Sequence, residues 1–309
     1  MKHIFVINPC AGKRDATDFI RQKVRELGED IDIEIYVTKT QGDAKVFVSR
    51  RCEETPSEVL RFYACGGDGT INEVVSGIIG RPNAEMTCYP SGSGNDYVKY
   101  YGEKQSFLNL HELVKGEVRK VDVMRVSNIT GSGDDIRYSM NVCNFGFDAI
   151  VCKTMEQVRR KRLIGGRNAY TTGIIKALFT GRRTQCRITV DGREVHNGEM
   201  LLCTLGNGRF VGGAYQCSPL SQNDDGLVEV CLFKPLSLFR FIKLIGSYRD
   251  GSFIHRKDIQ DKMTYLQGRD IEIEAPEPID FCVDGEMLYG SRFHIEQLSG
   301  AISFVTPQQ

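Results

Sequence analysis

Residues 66–70 read Gly-Gly-Asp-Gly-Thr and stand between two apolar patterns. The run before them, residues 59–65, is typical of a buried strand, and apolar residues recur at helical spacing after them. A glycine-rich turn between a strand and a helix lets backbone N–H groups approach a phosphate, and the helix N-terminus adds partial positive charge. Asp68 is unusual there, because a carboxylate repels a phosphate unless a divalent cation or a mobile proton lies between them. The pattern indicates nucleotide or phosphoryl chemistry.

Two common phosphate-binding loops do not fit the glycines of this chain. A Walker loop ends in Gly-Lys followed by Ser or Thr, whereas Gly12 and Lys13 are followed by Arg14. The dinucleotide fingerprint needs a third glycine three residues after the second, and Asn72 occupies that position after Gly69. The alternative to a phosphate site at residues 66–70 is a tight structural turn of an ordinary α/β protein.

Length, charge and cysteine usage limit the classes of function. The chain has 309 residues, enough for two domains that each bury a core. Its 40 basic and 40 acidic residues cancel, so no overall positive charge favours nucleic acid as a partner. Eleven cysteines without a Cys-x-x-Cys pair exclude the usual zinc and thioredoxin-like sites, and they fit a reducing cytosol.

No segment is expected to cross a membrane or to direct secretion. Residues 4–7 already resemble a strand and are too short for the apolar region of a signal peptide. The most apolar stretch, residues 227–245, is interrupted by charges and by Pro235, whereas a membrane-spanning helix needs about 20 mostly apolar residues. We therefore expect a soluble, cytoplasmic protein.

Strand-like and helix-like patterns alternate over the first 125 residues. Strands are predicted near residues 4–7, 31–37, 59–65, 86–89 and 121–126, and helices near 15–27, 42–52, after Gly69 and near 107–114. This alternation predicts a doubly wound parallel sheet covered on both faces, which we assign to an N-terminal α/β domain of residues 1–127. The glycine-rich turns all follow strands, so they lie at the carboxyl edge where such sheets bind ligands.

The pattern changes near Asn128 to short alternating runs. Strands are predicted at residues 187–190, 201–205, 227–233, 271–274, 279–283 and 293–295. A single helical insert is predicted over residues 153–179. We therefore expect a mostly antiparallel β domain of residues 128–296, with a closing segment, 297–309, that can pair with either domain.

Five motifs recur in one order along the chain. They are Asn8-Pro9-x-x-Gly12-Lys13, residues 66–70, Pro90-x-Gly92-Ser93-Gly94-Asn95-Asp96, Asp224-Asp225-Gly226 and Val283-Asp284-Gly285-Glu286. Over nearly the whole chain they resemble the diacylglycerol kinase catalytic-domain family, in particular its soluble bacterial lipid kinases. The second motif alone is shared with NAD kinases and, more loosely, with phosphofructokinases, so the other four narrow the resemblance. Ser93 departs from the threonine usual in the family, but a serine hydroxyl can make the same bond to a phosphate.

The resemblance implies an ATP site in the N-terminal domain. Its residues would be Asn8, Pro9, Cys10, Ala11, Gly12, Lys13, Thr38, Gly66, Gly67, Asp68, Gly69, Thr70, Ile71, Asn72, Ser93, Asn95 and Asp96. The residue types of the three turns favour the same site independently, whereas Thr38 is included only through the resemblance. Asp68 and Asp96 would meet the triphosphate through magnesium and water. The alternative for Asp96 is capping of a helix N-terminus.

The same resemblance implies a structural magnesium site and a catalytic base in the β domain. Asp225 would bind magnesium together with the carbonyls of Gln222 and Leu227, and a hard cation prefers such oxygen ligands; the alternative is an acidic hairpin turn. Glu286 would be the general base that accepts the proton of the substrate hydroxyl, and Asp284 would orient it or hold magnesium. Asp191-Gly192 is a similar turn with no expected function.

These expectations lead to an ATP- and magnesium-dependent kinase that phosphorylates a lipid hydroxyl, with diacylglycerol favoured. One alternative is a soluble-metabolite kinase such as NAD kinase, but the Asn-Asn-Glu motif of that family is absent from the chain. Another is a non-catalytic nucleotide-binding regulatory module, which the complete set of acidic positions argues against. The sequence leaves homodimer formation open.

A basic segment predicts how the protein reaches a lipid substrate. From Lys153 to Arg183 there are nine basic residues and one acid, Glu156, with apolar residues between them. Such a segment could rest on anionic headgroups as a peripheral membrane contact. The alternative is a solvated basic face over an ordinary buried stripe.

Overall fold

The computed structural model describes residues 1–130, 135–160 and 183–308. The chain forms two compact units. Unit 1 comprises Met1–Val123 and the C-terminal residues from Ser299, and unit 2 comprises Met124–Leu298. The boundaries expected from the sequence differ from these by a few residues. One continuous strand crosses each boundary between the units, and the sequence pattern does not show where along that strand the boundary falls.

Unit 1 is built of alternating strands and helices. The strands are β1 (Lys2–Ile7), β2 (Ile33–Val37), β3 (Leu60–Gly66) and β4 (Ala84–Pro90), the helices are α1 (Thr17–Arg25), α2 (Asp43–Glu54), α3 (Asp68–Ile78) and α4 (Leu110–Val114), and short 3-10 helices span Tyr97–Tyr101 and Lys104–Leu108. Strand β5 (Glu117–Asn128) then runs across the boundary into unit 2.

The sheet of unit 1 is parallel, in the order β2-β1-β3-β4. Strand β3 is buried along its whole length, as expected for a central strand covered by helices on both faces. The closing segment pairs with this sheet, since Ser303 and Phe304 lie parallel to Glu85 and Met86 of β4. The predicted doubly wound α/β domain is therefore confirmed.

Unit 2 is mostly antiparallel. Its strands after β5 are β6 (Asp135–Ser139), β7 (Val142–Gly146), β8 (Thr184–Val190), β9 (Arg193–Met200), β10 (Leu202–Gly206), β11 (Val228–Phe233), β12 (Met263–Gly268), β13 (Asp270–Val283) and β14 (Glu286–Thr306). Its helices are α5 (Phe147–Arg160) and α6 (Leu238–Asp250), with 3-10 helices at Ser252–His255 and Lys257–Lys262. Strand β14 returns the chain to unit 1.

The strands of unit 2 pair in the order β12-β11-β10-β7-β13-β14, each pair antiparallel. The hairpin β8–β9 joins this path through β13, and β6 pairs with β5. Buried aromatic rings stack inside the sheet, with Phe281 between Phe145 and Phe293. The predicted β-rich domain is confirmed.

The prediction of a single helical region in the second domain is wrong. Helix α6 is a second one, and it begins within residues 227–245, where only a strand at residues 227–233 was expected. Pro235 ends strand pairing, the Ser237 hydroxyl caps the helix by accepting from the Arg240 N–H, and Gly251 ends it with a left-handed φ of 76°. The predicted helical insert begins earlier than expected, at Phe147. Its part from residue 161 to 179 lies outside the described residues.

In the described part of the chain, no helix combines the length and apolarity needed to span a bilayer.

Candidate functional site

Three loops of unit 1 meet at the carboxyl edge of its parallel sheet. They follow β1, β3 and β4, which are neighbours in the strand order. The Asn8 side-chain amide donates a 3.0 Å hydrogen bond to the Thr70 hydroxyl, which joins the first loop to helix α3. The backbone N–H groups of Ser91 and Gly92 donate to the Gly66 carbonyl at 2.9 and 3.0 Å, which joins the second loop to the third. The three glycine-rich motifs singled out in the sequence thus form one cluster.

Close backbone contacts explain two of the glycines. A Cβ atom on Gly92 would lie 2.3 Å from the Cα atom of Gly67, so neither loop has room for a side chain there. Gly12 has a φ of +80° and a Cβ on it would lie 2.4 Å from the Ser91 carbonyl oxygen. The loops pack backbone against backbone, and because the Ser91 and Gly92 N–H groups already donate to the Gly66 carbonyl, a phosphate here would have to be met by other N–H groups of the loops.

Two carboxylates border the same space in this cluster. Asp68 is the first residue of α3 and accepts a hydrogen bond from the Tyr97 N–H at 3.2 Å. Asp96 is buried and forms an ion pair with Lys99. A Cβ on Gly94 would lie 2.9 Å from Oδ2 of Asp68 and 3.6 Å from Oδ2 of Asp96. Oxygen atoms of two acids around one point are a donor set that suits a hard divalent cation.

The capping alternative for Asp96 does not match the structure. Asp96 precedes the 3-10 helix Tyr97–Tyr101, yet its side chain does not cap that helix. Its carboxylate is instead paired with Lys99 and bordered by Gly94. The Lys99 ammonium partly balances the buried charge, and binding of a cation by Asp96 stays a prediction.

Two buried polar atoms in the third loop fit a ligand with hydrogen-bonding groups. Among the described residues, the Ser91 hydroxyl oxygen and the Asn95 side-chain oxygen are buried and have no hydrogen-bond partner. A buried polar atom without a partner costs on the order of 1–3 kcal/mol, so both favour a bound group that would satisfy them. Asn95 was expected from the sequence, whereas Ser91 was missed because only Ser93 matches the family motif. Ser93 itself is exposed.

The other residues expected to bind nucleotide lie in or beside these loops. Thr38 follows β2, is buried, and donates its N–H to the Ile7 carbonyl at 2.9 Å, so it lies next to the end of β1. Pro9, Cys10, Ala11 and Lys13 complete the first loop, Gly69 is exposed at the start of α3, and Ile71 and Asn72 are buried in its first turn. The Ile71 side chain belongs to the core, so only its backbone is available to a ligand.

The candidate base lies directly after a tight turn in unit 2. Asp284 and Gly285 have φ angles of 47° and 94° and connect β13 to β14, with Val283 opposite Glu286. Two left-handed residues in a two-residue loop form the hairpin turn that favours Asp-Gly. Glu286 is half-buried at the start of β14. Asp191-Gly192 forms the same turn between β8 and β9, so the turn by itself carries no function.

The Asp284 carboxylate is held by four donors from one neighbouring turn. It accepts hydrogen bonds from the Ser139 hydroxyl at 2.6 Å and from the backbone N–H groups of Met140, Asn141 and Val142 at 3.0 to 3.2 Å. These bonds fix the turn between β6 and β7 to the turn before Glu286. The arrangement favours the orienting role for Asp284 over that of a magnesium ligand, because most of its lone pairs already accept hydrogen bonds.

Strand β11, which follows the loop expected to bind structural magnesium, carries a further acid, Glu229. Asp225 accepts a hydrogen bond from the Leu227 N–H at 2.9 Å, and the Leu227 carbonyl accepts one from the Gln297 side chain at 3.3 Å. Glu229 is buried, and one of its carboxylate oxygens has no hydrogen-bond partner among the described residues. Burial raises the pKa of Glu229, and the negative charge of Asp225 adds to this effect.

A nearby cation would offset the repulsion between the negative charges of Asp225 and Glu229. The described residues contain no cluster of three or more side chains able to hold a metal ion. A cation at Asp225 would therefore depend on backbone carbonyls, such as those of Gln222 and Leu227, as expected from the sequence. Glu229 was not singled out from the sequence, because nothing in the sequence of a strand indicates that a carboxylate oxygen will be buried without a hydrogen-bond partner.

Most of the predicted basic segment, residues 161–182, lies outside the described residues. Its two described ends are paired with acids. Lys153 forms an ion pair with Asp280 at 2.7 Å, and Arg183 forms one with Glu199 at 2.8 Å. The charge at these two positions is therefore balanced within unit 2.

Two family models match the chain and together cover most of it. The diacylglycerol kinase catalytic domain matches residues 2–126, and the YegS C-terminal NAD kinase beta sandwich-like domain matches residues 141–306.

Curated relatives align along nearly the whole chain. A probable lipid kinase YegS-like protein of Pectobacterium atrosepticum is 30% identical over 96% of this chain and 94% of that protein. One of Yersinia enterocolitica is 30% identical over 99% of this chain and 98% of that protein.

Solved structures share the fold. A putative diacylglycerol kinase from Bacillus anthracis superposes with a TM-score of 0.74 at 23% identity, covering 99% of this chain and 97% of that one. Yeast NADH kinase superposes with a TM-score of 0.53 at 12% identity, covering 100% and 84%. At these identities the likeness bears on the fold alone.

Proposed function

This chain belongs to the diacylglycerol kinase catalytic-domain family, among its YegS-like lipid kinases, and we propose that it transfers the γ-phosphoryl group of ATP to the hydroxyl group of diacylglycerol, giving phosphatidic acid. The family makes the protein a transferase with lipid kinase activity. ATP, magnesium and diacylglycerol are the parts of the function that we propose. We further propose that it acts as a cytoplasmic protein at a membrane surface, where its lipid substrate resides.

One observation carries the proposal of ATP and magnesium. Three glycine-rich loops meet at one sheet edge, and Asp68 and Asp96 both border the space at Gly94. N–H groups from close-packed backbone suit the phosphates, and two carboxylates suit a divalent cation between protein and phosphate. The partnerless oxygens of Ser91 and Asn95 support a polar ligand at this position.

The residues of unit 1 would bind and orient the nucleotide. The loop N–H groups and Lys13 would hold the phosphates, while Asp68 and Asp96 would hold the cation that accompanies them. When bound, magnesium supplies positive charge that offsets the charge developing on the transferred phosphoryl group. This division of roles accounts for acids inside a phosphate site, where they would otherwise repel the ligand.

The residues of unit 2 would handle the proton of the acceptor. Glu286 would accept the proton from the lipid hydroxyl at one of its carboxylate oxygens as the hydroxyl attacks. Asp284 would keep the turn before Glu286 in place through its four hydrogen bonds. Asp225 and the carbonyls of Gln222 and Leu227 would bind a second, structural magnesium ion.

The two alternative functions have less support. The relatives that align along the whole chain are named as lipid kinases, whereas the yeast NADH kinase shares only the fold at 12% identity. A non-catalytic module would not need the acids at positions 68, 96, 225, 284 and 286, all of which are present.

A labelling experiment tests the proposal. The protein is incubated with ATP labelled at the γ-phosphate, magnesium and a total lipid extract, and the labelled product is identified. We expect phosphatidic acid as the main labelled lipid. A labelled sphingoid base or polyprenol would support lipid kinase activity but show that diacylglycerol is not the main substrate. ATP consumption without any labelled lipid would reject the proposed function.

A further inference from the structure

The outer face of helix α6 carries two exposed apolar side chains one helical turn apart. The Phe239 side chain is 68% exposed and that of Ile242 is 58% exposed, and Phe239 has the largest exposed fraction of any large apolar residue in the described part of the chain. No other exposed large apolar residues in the described ranges share a helix at such spacing. A paired aromatic and aliphatic side chain on one solvent-facing surface is typical of an interaction site rather than of scattered exposure.

The opposite face of the same helix packs into the hydrophobic core. Phe241, Leu244 and Tyr248 are buried in the cluster that also contains Phe233 and Phe253. Their spacing of three and four residues puts them on one side of the helix, and Phe239 and Ile242 on the other. The helix therefore does not need its outer apolar residues for folding.

The charge around these side chains is positive. Between residues 234 and 262 there are seven basic residues and three acids, although the whole chain is neutral. Arg240 pairs with Asp261 and Arg256 with Asp258, and the remaining basic residues keep this stretch positive. On α6 itself, the exposed Lys243 places its ammonium group 4.3 Å from the centre of the Phe239 ring. The only acid in the helix, Asp250, is its last residue, two turns away from Ile242.

We infer that α6 is the element by which this protein rests on an anionic phospholipid bilayer, with Phe239 and Ile242 inserted at the headgroup boundary and Lys243 at the lipid phosphates. An aromatic ring, an aliphatic side chain and a lysine on one helix face are the composition of an interfacial membrane helix. Lysine keeps its charge in the headgroup region while its methylene chain lies along apolar surface. The inference rests on the proposed function, because a kinase of a membrane lipid must reach the bilayer.

This assignment differs from the contact expected at residues 153–183. The described ends of that segment, Lys153 and Arg183, are ion-paired, and on α6 Arg240 is likewise paired with Asp261 at 3.6 Å. What distinguishes α6 is that exposed apolar side chains lie beside a lysine, Lys243, on the same face. A basic surface alone binds anionic membranes only through charge, while α6 adds apolar area that remains buried in the bilayer at high salt.

Vesicle co-sedimentation of the full chain tests the inference without any need for catalysis. The vesicles contain phosphatidylcholine alone or phosphatidylcholine with phosphatidylglycerol. We expect wild type to bind the anionic vesicles, the double variant Phe239→Ser with Ile242→Ser to bind them roughly tenfold or more weakly, and Lys243→Glu to lose part of the binding. The matched control is Phe19→Ser, since Phe19 is 56% exposed on α1 in unit 1 and its replacement should leave binding unchanged.

Three outcomes overturn the inference. The first is unchanged vesicle binding in the double variant, and the second is an equal loss in Phe19→Ser. The third is a wild-type dimer, detected by sedimentation at rising concentration, that the double variant abolishes while vesicle binding stays absent in both; this would make the face a contact between two copies. Failure of the proposed function is distinguishable, because absent lipid phosphorylation with intact, α6-dependent vesicle binding would reject the kinase assignment alone.

Discussion

The Ser139 hydroxyl donates a 2.6 Å hydrogen bond to Oδ1 of Asp284. These residues are 145 positions apart in the chain, and the bond joins the turn between β6 and β7 to the turn before Glu286. Three backbone N–H groups from the same segment complete the set. The position of the candidate base thus depends on a carboxylate that need not touch the substrate.

We expect Asp284→Asn to lower kcat for lipid phosphorylation by roughly tenfold or more while the KM for ATP stays within a few-fold of wild type. The amide accepts with only one oxygen, so the turn loses charge-assisted hydrogen bonds, each contributing about 1.5–3 kcal/mol. Steady-state kinetics with varied ATP measures both constants. Asp191→Asn is the control, because it changes the same kind of turn, where Asp191 accepts from the N–H groups of Arg269 and Asp270. An equal fall in kcat in both variants would reduce the role of Asp284 to general stability.

Asp68→Asn is expected to raise the magnesium concentration needed for half-maximal activity. The substitution removes a negative charge and one anionic oxygen ligand at the space that Asp68 shares with Asp96, so the cation binds less tightly. Activity measured over a range of magnesium and ATP concentrations reports the change. Asp18 is a fully exposed acid on α1, and Asp18→Asn should leave the dependence of activity on magnesium concentration unchanged. A normal response of Asp68→Asn to magnesium and ATP would show that residues 66–70 do not form the phosphate site.

Asp225→Ala should abolish the stabilisation of the protein by magnesium. A ligand that binds only the folded state raises the free energy of unfolding by mass action, by about 2.7 kcal/mol at a hundredfold excess over its Kd. Thermal melts with and without magnesium measure the shift. The neighbouring Asp224 is exposed, and Asp224→Ala should show the same magnesium-dependent rise in melting temperature as wild type. If wild type and Asp225→Ala show the same magnesium-dependent shift, Asp225 does not bind the ion.

Because Asp148 is buried, we expect the free energy of unfolding to depend on pH. Desolvation raises its pKa to about 6, opposed by a 3.0 Å hydrogen bond from the Tyr248 hydroxyl. The folded state holds the proton more tightly than the unfolded chain, so stability from this group is fully present below the ordinary pKa of 3.8 and is lost as pH rises to about 6. The loss is about 3 kcal/mol in order of magnitude.

Asp148→Asn removes this titration, so its free energy of unfolding relative to wild type should rise between pH 4 and pH 6 and then level off. Denaturant unfolding of both proteins across this range measures the difference. Tyr248→Phe should move the window to higher pH, because the lost hydrogen bond favoured the charged carboxylate. A difference between wild type and Asp148→Asn that does not change with pH would contradict the account.

The sequence predicted the elements whose signals are local. The strand before Gly66, the helix after it and the turn at Asp284 are each specified by neighbouring residues, and the structure contains all three. Helix α6 was missed because strand β11 ends and the helix begins inside one apolar stretch, residues 227–245. Pro235 and Ser237 are the local signs of the change, but Pro235 was considered only as an interruption of that stretch.

The features that could not be predicted depend on distant residues. The donors to Asp284 come from residues 139–142, and the unpaired oxygens of Ser91 and Glu229 depend on what the fold places around them. The sequence indicates which residues can carry the chemistry, and the tertiary contacts decide which of them have unsatisfied hydrogen-bonding capacity.

The most direct test of the account compares wild type with Glu286→Gln. Both proteins are given γ-labelled ATP, magnesium and diacylglycerol in detergent micelles, and label in the lipid phase is followed beside the Kd for ATP. We expect wild type to form labelled phosphatidic acid, and the variant to be slower by roughly 10²–10⁴ with ATP binding within a few-fold, because loss of the base raises the barrier without changing nucleotide contacts. A variant that keeps more than about a tenth of the wild-type rate, or a wild type that leaves the lipid unlabelled, would contradict it.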